Sequence, residues 1–398
     1  MKKEYIILLF LLLGPLLDVA SFLGLPFSIL FRGFYLAGII LYLIVKKQEL
    51  KFLIPLLIFG IILFLYQFLY LKFSFMSIAS AVLKFLYLPI SILYFKHYVF
   101  PIRKEKVFTT IFLTYISIFL LSYLFNIGAD AYLESDGKSG FKGLFSSINE
   151  FSAILVCLLP IITFYWKQKK KWFLSIFLIV LSLGCSLLIG TKILMGGIVF
   201  TIAYLLWQER EYLFFKRTKK QKLIIVLTIG FIMVIGSFLF TKTRTYQNMK
   251  IQQDFFQVEN VLSLEFMNRV VYNDRLTFLH NNLDYFKNQI GIKIILGIGL
   301  EDYDIKMVEI DIFDIAFRYG ILGIIIFLSS ITLSIDWQKI KKEEKVSIIL
   351  LIIISLTSGH VLIYPASCIY FAVILSPERV VMKEKTRKIK NNNIIENI

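Results

Sequence analysis

Apolar runs of about 20 residues recur along most of this chain, and short loops rich in lysine and arginine separate them. A backbone that meets lipid must satisfy its own hydrogen bonds, so such runs predict membrane-spanning α-helices. Hydrophobic residues make up 58% of the 398 residues and the mean hydropathy is +0.76. These values exclude a water-soluble protein of this size. The sequence therefore predicts an all-α polytopic membrane protein.

We predict about twelve transmembrane helices from the apolar runs. They cover residues 5–24, 27–45, 52–71, 77–95, 107–126, 147–166, 172–190, 192–207, 223–240, 312–335, 346–358 and 360–377. The first resembles a signal peptide, but it contains Asp18 and lacks a small-residue cleavage pattern, so we interpret it as an uncleaved helix. The expected division is a nine-helix membrane domain at 1–240, a loop at 241–311, three helices at 312–377 and a basic tail at 378–398.

The distribution of the 44 Lys and Arg residues predicts the orientation in the membrane. Most of them lie in alternate loops, which are therefore expected to face the cytoplasm together with both termini. The polar loops at 127–146 and 241–311 are expected to be extracytoplasmic, in a multi-pass protein of the plasma membrane. The net charge of +17 thus reflects topology, and the expected partner is the lipid bilayer and not nucleic acid.

The long loop at 241–311 is polar and interrupted, and a mostly membrane-embedded protein usually places its working surface in such a segment. Helical spacing of apolar residues predicts an amphipathic helix, on Leu276, Leu279, Leu283, Phe286 and Ile290, and a weaker one on Leu262, Phe266, Met267 and Val270. Gly297 and Gly299 predict a tight turn or a close backbone approach. No internal repeat is visible, which disfavours a transporter built from inverted halves.

Charged residues within spans are costly, so each one needs a partner or a function. Asp18 and Arg32 either form an ion pair between the first two spans, or Arg32 binds an anionic ligand. Lys84 lies mid-span, where a buried carboxylate or carbonyl is the simplest partner. Lys192 stands in a turn at a helix N-terminus, and it either forms an anion site there or extends to the membrane interface.

Asn149 and Glu150 open the sixth predicted span. Ser146 or Ser147 could cap this helix, with Glu150 closing a capping box. The alternative is that Asn149 and Glu150 contact a sugar.

The motif EIDIFDIAFRYG ends the long loop and carries several charges into the next span. Asp311, Asp314 and Arg318 share one helical face, and Asp314 and Arg318 are expected to pair. Glu309 and Asp311 are then left at the mouth of the span. Carboxylates there suit general-base catalysis or hydrogen bonding to sugar hydroxyls, and the alternative is a charged cap on a helix N-terminus.

Two arginines of the loop, Arg269 and Arg275, are suited to bidentate phosphate contacts, although a solvated polar face would explain them equally. His280 is expected at the surface, whereas His360 lies where an external active site could reach it. All three cysteines fall in apolar spans without metal-ligand spacing, so they indicate no metal site. No cofactor is expected.

Several stretches, in a fixed order along nearly the whole chain, carry a resemblance to a known family. They are GPLLDVASF with Arg32 downstream, FKGLFSSINEFSAIL, LLIGTK, NDRLTFL followed by LGIGL, EIDIFDIAFRYGILG and SGHVLIYP. In these stretches the chain resembles the O-antigen polymerase and ligase family, in the form found as polysaccharide polymerases of Gram-positive bacteria.

The resemblance implies a metal-independent membrane glycosyltransferase of the GT-C type, with a polyprenyl-diphosphate-linked oligosaccharide as substrate on the outer face. It implies that basic residues hold the diphosphate, with Arg275 the first candidate, followed by Lys192, Arg32 and Arg269. A chain-length regulator and a flippase of the same pathway are further implied partners.

Ligases of this family commonly carry a His-Asn pair before the span that follows the loop, and this chain has Glu309 and Asp311 there. The difference favours a polymerase, which would build a surface or capsular polysaccharide, over a ligase that transfers glycan to a final acceptor. Glu309, Asp311 and His360 are the candidate catalytic residues, and Asn149 and Glu150 the candidate glycan contacts. The alternative from another class is a lipid-linked oligosaccharide flippase, a class that usually has short loops and charges deep in a central cavity.

Overall fold

The computed structural model describes residues 3–131, 140–210, 240–258, 260, 263–289, 291–299, 307–359 and 361–377. The first eight helices are α1 Lys3–Phe22, α2 Phe27–Val45, α3 Leu50–Leu69, α4 Phe75–Phe95, α5 Lys104–Leu124, α6 Ile148–Gln168, α7 Trp172–Ile189 and α8 Lys192–Gln208. The later helices are α9 Arg244–Phe255, α10 Leu264–Phe266, α11 Arg275–Lys287, α12 Ile292–Leu296, α13 Asp311–Thr332, α14 Lys342–Thr357 and α15 Pro365–Ile374.

Eight helices in the described part of the chain, α1 to α7 and α13, are long and apolar enough to cross a membrane. Helices α8 and α15 are shorter apolar helices. The predicted spans match these helices and α14 to within several residues, while the span at 223–240 lies outside the described residues except for Phe240. The prediction of an all-α polytopic membrane protein is confirmed.

Helices α4 and α6 form the centre of the bundle. In each of them 78% of the most apolar window is buried, against 22% in α1 and 28% in α2. Helix α4 packs on α2, α3 and α15, while α6 packs on α5, α7, α8 and α14. A helix that is apolar all round and buried all round belongs in the interior. The peripheral helices instead carry exposed apolar side chains such as Phe34 and Phe173, as expected of surfaces that face lipid.

The polar loop between α5 and α6 contains a short β-ribbon that the sequence did not indicate. Strand β1 (Ala129–Asp130) pairs antiparallel with strand β2 (Phe141–Gly143). The ammonium group of Lys142 lies 5.9 Å from the ring centroid of Phe22 at the end of α1. The ribbon therefore marks the end of the bundle where α1 finishes and α6 begins.

The described residues between 240 and 299 form helices α9 to α12, and the predicted amphipathic helix is α11. Three of the five predicted apolar positions pack onto a small core, Leu279, Leu283 and Phe286 against Val308, Ile310 and Phe317. Leu276 is 40% exposed, and Ile290 lies outside the described residues. This helix thus covers the chain that leads into α13.

The second, weaker amphipathic element is α10, which continues as a single π-helical turn, Met267–Val271. Phe266 and Val270 are buried together with Val258, in a cluster separate from the main core. Met267 is 40% exposed, and Leu262 lies outside the described residues.

The close backbone approach predicted at Gly297 is present. Its φ angle is +90°, and a Cβ atom there would lie 2.2 Å from the carbonyl oxygen of Arg318. Helix α13 breaks at Gly320, where φ is 72°. The amide of Ile298 donates to the Phe317 carbonyl at 2.9 Å, and that of Gly299 donates to the Arg318 carbonyl at 3.3 Å. The end of the 240–299 segment thus satisfies carbonyl groups that the break leaves without helical partners.

A buried ion pair ties the N-terminal end of α5 to the N-terminal end of α14. The ammonium of Lys104 lies 2.7 Å from the carboxylate of Glu344, and both side chains are 0% exposed. The same ammonium donates to the carbonyl of Ser376, just after α15, at 2.9 Å. One lysine therefore connects three helices where no water is available to replace its partners.

Candidate functional site

The 240–299 segment lies across the ends of α7, α8 and α14. Arg244 donates to the carbonyl of Leu188 at 3.0 Å, Lys192 donates to the carbonyl of Val270, and Arg275 donates to the carbonyl of Thr357. Each contact joins a side chain to a backbone oxygen at a helix end or turn. The segment is therefore held on one end of the bundle.

A cavity of about 520 Å³ lies between this segment and the bundle, and we call it the Arg275 cavity. Its polar lining includes Asn149, Lys192, Asn273, Arg275 and Glu309. Four of these five are sequence-predicted site residues that lie far apart in the chain. The structure thus brings together the first two diphosphate candidates, one catalytic candidate and one glycan candidate.

Arg275 is the first residue of α11, and it follows Asp274, whose φ of 64° turns the chain into the helix. Although charged, Arg275 is only 5% exposed. Its guanidinium donates to the Glu309 carboxylate at 2.8 Å and to the carbonyl of Thr357. Its Nε is buried and has no hydrogen-bond partner among the described residues. A buried donor without a partner costs about 1–3 kcal/mol, so a ligand oxygen would be favoured there.

Lys192 follows a turn in which Gly190 has a φ of 77°, and it opens α8. Its ammonium donates to the amide oxygens of Gln252 and Asn273, both at 3.2 Å, and to the carbonyl of Val270. These three acceptors are neutral and all belong to the 240–299 segment. Lys192 therefore holds this segment against α8 and places a positive charge at the cavity wall.

Glu309 lies in the left-handed region with a φ of 60°, which is unusual for a residue with a side chain. Gly359 packs against it so closely that a Cβ atom at Gly359 would lie 2.2 Å from the Glu309 carbonyl oxygen. Backbone strain of this kind concentrates at functional sites. The side chain of Glu309 is 35% exposed and borders the cavity beside Arg275.

Asp311 is fully buried and does not lie at the mouth of the span, where we had expected it. Its carboxylate accepts hydrogen bonds from the backbone amides of Val361 and Leu362, the closest at 3.0 Å each. The reason is that the chain following α14 folds over the start of α13. His360, immediately before these amides, lies outside the described residues.

The predicted ion pair between Asp314 and Arg318 is replaced by other contacts. Asp314 accepts a hydrogen bond from the amide of Val308 at 3.2 Å, and Arg318 donates to the sulfur of Met307. Val308 is fully buried, and its amide would otherwise need another acceptor. The Asp314 carboxylate, which was expected to pair with Arg318, is thus hydrogen-bonded to the backbone that enters α13.

Arg269 does not line the Arg275 cavity. It pairs with Glu265 at 3.0 Å, stands 5.0 Å from the ring centroid of Phe256, and its side chain is 40% exposed. His280 is at the surface as predicted, with a side chain 76% exposed beside Asp284. We assign no ligand contact to Arg269 or His280.

A second cavity, of about 310 Å³, lies on the other side of α6, and we call it the Lys84 cavity. Its Asp, Glu, Lys and Arg lining residues are Asp18, Arg32, Lys84 and Glu150. The Asp18–Arg32 ion pair predicted between the first two spans is present, and the hydroxyl of Tyr115 also donates to Asp18. Arg32 is therefore separated from Arg275 and Lys192, with which it had been grouped.

The N-terminus of α6 separates the two cavities. Ser147 caps this helix, and its hydroxyl accepts a hydrogen bond from the amide of Glu150 at 3.3 Å, as one half of the predicted capping box. Asn149 borders the Arg275 cavity, whereas Glu150 borders the Lys84 cavity. The two glycan candidates are adjacent in sequence but face different spaces, because successive helical residues point about 100° apart.

Sequence reasoning missed several residues that line these cavities, among them Tyr87 and Asn273. Tyr87 lines the Lys84 cavity, and Asn273 lines the Arg275 cavity. A tyrosine in an apolar span and an asparagine in a polar loop carry no local signal. Within the described ranges, no group of three or more His, Cys, Asp or Glu side chains could hold a metal ion.

Apolar helices of membrane length and two charged cavities at one end of their bundle define the class, a polytopic α-helical membrane protein. Residues 242–385 match the family model described as "O-antigen ligase like membrane protein". The chain therefore carries an O-antigen ligase-like domain, which confirms the resemblance to the O-antigen polymerase and ligase family. This family processes lipid-linked glycan at the membrane. Searches of curated proteins and of solved structures found no match.

Proposed function

We propose that the protein polymerises polyprenyl-diphosphate-linked oligosaccharide repeat units into a surface or capsular polysaccharide, on the outer face of the membrane. The observation that carries this proposal is the Arg275 cavity, where Arg275, Lys192 and Glu309 meet beneath the 240–299 segment. Two cations and one carboxylate give it a net positive charge that suits a diphosphate. The concentration of Lys and Arg in the opposite loops supports an outward-facing cavity.

In the proposed reaction, a hydroxyl of the acceptor sugar attacks the anomeric carbon of the donor. A new C–O bond forms, the bond from that carbon to the diphosphate oxygen breaks, and the electron pair leaves with the diphosphate. Arg275 and Lys192 stabilise the charge that develops on the leaving group, since fixed donors act strongly in a water-poor site. Glu309 accepts the hydroxyl proton as general base.

The ion pair between Arg275 and Glu309 supports a coupling between donor binding and activation of the base. At 2.8 Å the carboxylate shares the guanidinium that a diphosphate would also engage. A diphosphate that takes hydrogen bonds from Arg275 weakens this pair, and the carboxylate becomes more available to the acceptor hydroxyl. Glu309 would thus serve as a base only when the donor is present.

The position of Glu309 supports polymerase over ligase, because family ligases commonly carry a His at this point. A flippase receives less support, because flippases usually place their charged residues deep in a central cavity. Both cavities of this protein lie at one end of the bundle. On this proposal Asp311 is a positioning residue, since it holds Val361 and Leu362 and thereby the chain that carries His360. The pathway's flippase and chain-length regulator remain proposed partners.

The test is deletion of the gene, followed by analysis of lipid-linked and surface glycan. A polymerase predicts loss of long chains while single repeat units still reach the surface. Long chains that stay on the lipid carrier would indicate a ligase, and lipid-linked units trapped on the inner face would indicate a flippase. Purified full-length protein in liposomes, supplied with repeat units extracted from the deletion strain, should then produce a ladder of longer chains.

A further inference from the structure

The Lys84 cavity is not used by the diphosphate chemistry, yet it is built from side chains that are costly inside a membrane protein. Lys84 on α4 and Glu150 on α6 both border it, and neither forms an ion pair within 4 Å in the described part of the chain. The ammonium of Lys84 instead lies 5.3 Å from the ring centroid of Tyr364. Ionisable groups in such a position mark a functional site by default.

The charge balance of this cavity differs from that of the Arg275 cavity. Its two cations face two carboxylates, and Arg32 is already paired with Asp18. The remaining pair, Lys84 and Glu150, cancels in charge. Because these charges sum to zero, the cavity has no net positive charge to compensate a diphosphate for the hydration that it would lose there. The preferred ligand is therefore neutral and polar.

The uncharged lining of the cavity favours a polyhydroxylated ligand. Tyr87 is 2% exposed, and its hydroxyl is buried without a hydrogen-bond partner among the described residues. Ser21, Ser80 and Ser146 also line the space, together with the aromatic residues Phe145 and Tyr364. A sugar offers hydroxyls that both donate and accept, and an apolar face that packs on aromatic rings. An apolar pocket with a few convergent polar groups is the usual form of a small-ligand site.

The cavity also borders the lipid-facing surface of the bundle. Ile29 on α2 and Leu83 on α4 line it and are 75% and 43% exposed. The terminal part of a glycan can enter between these helices from the membrane side, while the diphosphate and the polyprenyl tail of the same molecule stay outside the cavity. This geometry suits a sugar attached to a lipid.

We propose that the Lys84 cavity is the acceptor subsite, which binds the terminal sugar of the incoming lipid-linked repeat unit. Lys84 and Tyr87 donate hydrogen bonds to sugar hydroxyls, and Glu150 accepts them. This inference rests on the proposed polymerase function and adds the place where the second substrate binds.

The test uses thiol protection in the full-length protein in lipid nanodiscs. Ser80→Cys places a thiol on the cavity wall, while the three native cysteines are buried. The probe is an octyl glycoside of the repeat unit, released from the cell's own polysaccharide and lacking a diphosphate. We expect this probe, near ten times its Kd, to slow labelling by a small methanethiosulfonate reagent about tenfold. Inorganic diphosphate should leave the labelling rate unchanged.

Thr357→Cys provides the matched thiol in the Arg275 cavity. Inorganic diphosphate should protect that thiol, which tests the proposed function independently of the acceptor site. Lys84→Met and Glu150→Gln should each abolish protection of the Ser80→Cys thiol by the glycoside. Protection of this thiol by diphosphate, or no protection by the glycoside, would overturn the acceptor assignment even if diphosphate binding at the Thr357→Cys thiol is intact.

Discussion

Replacement of Arg275 is the sharpest test of the proposed chemistry. Arg275 is 5% exposed, borders the larger cavity and donates to Glu309 at 2.8 Å. Arg275→Gln removes the positive charge and the guanidinium fork but keeps a polar side chain. Arg275→Lys keeps the charge and removes only the fork.

The expected loss follows from the role of a fixed donor at a developing negative charge. Removing one such donor typically costs about 10²–10³-fold in rate, or about 2.7–4 kcal/mol. We expect Arg275→Gln to reach the upper end of this range because charge and hydrogen bonds are lost together. Arg275→Lys should lose about tenfold, which corresponds to about 1.4 kcal/mol. The lost bond to the Thr357 carbonyl adds about 1 kcal/mol of destabilisation, which should leave the protein folded.

The assay is single-turnover chain extension by purified full-length protein in liposomes, with lipid-linked repeat units extracted from the deletion strain. The matched control is Arg269→Gln, since Arg269 lies in the same segment but is exposed and outside both cavities. Exposed ion pairs contribute about 0–1 kcal/mol, so this variant should extend chains at nearly the normal rate.

One result would refute this reasoning. Suppose that Arg275→Gln elutes from a size-exclusion column as a single peak at the wild-type volume and extends chains within about threefold of the wild-type rate. The loss of transition-state stabilisation is then below about 1 kcal/mol. Arg275 would then have no role in stabilising the leaving group. An equal loss of rate in Arg269→Gln would also contradict the assignment. It would show that the loss of any arginine from the 240–299 segment slows chain extension, whether or not the arginine borders the cavity.

Glu309→Gln should lower the extension rate about 10²–10⁴-fold, as expected for loss of a general base, and an unchanged acid limb of the pH–rate profile would contradict that role. Asp311→Asn should reduce the stability of the detergent-solubilised protein by about 1–3 kcal/mol, because a buried amide loses its carboxylate acceptor; an unchanged melting temperature would argue against this. Gly297→Ala should prevent folding, since its Cβ would lie 2.2 Å from a carbonyl oxygen, whereas Gly38→Ala meets nothing within 4 Å and should purify normally. Lys104→Met should cost about 3–5 kcal/mol by leaving a buried carboxylate without its partner, and a normal yield of folded protein would contradict this.

Hydropathy predicted the helical spans because membrane insertion depends on composition over about 20 residues, a property that is local in sequence. The close approach at Gly297 was also predictable from local sequence, because glycine often occupies backbone positions that other residues cannot adopt. The break at Gly320 was not, because a single glycine inside a span is tolerated and the break depends on the backbone that docks against it.

The candidate site was predicted in part. The charged residues were recognised individually, but their grouping depends on contacts between distant segments. Arg275 and Thr357 are separated by 82 positions, and Asp311 and Val361 by 50. For this reason the sequence did not indicate that Arg32 lines a different cavity from Arg275 and Lys192, or that Asp311 is buried.

A polymerase of lipid-linked units faces a selection problem that the two cavities could solve. Its donor and its acceptor both consist of a sugar chain on a polyprenyl diphosphate, so a single site would accept either molecule in either role. The Arg275 cavity has a net positive charge, and the Lys84 cavity is balanced. Each can therefore select a different end of chemically similar molecules, the diphosphate in one and the terminal sugar in the other.

The first turn of α6 fixes the positions of the two cavities relative to each other. Asn149 and Glu150 are adjacent on it and border different cavities, and Ser152 one turn later lies 3.2 Å from the hydroxyl of Thr191 beside Lys192. The helix is among the most buried in the bundle, so the two cavities cannot move apart without disturbing the core. On the proposed function, the new glycosidic bond forms beside this turn. The orientation of donor and acceptor is then set by a rigid helix, whereas the 240–299 segment supplies the charge that starts the reaction.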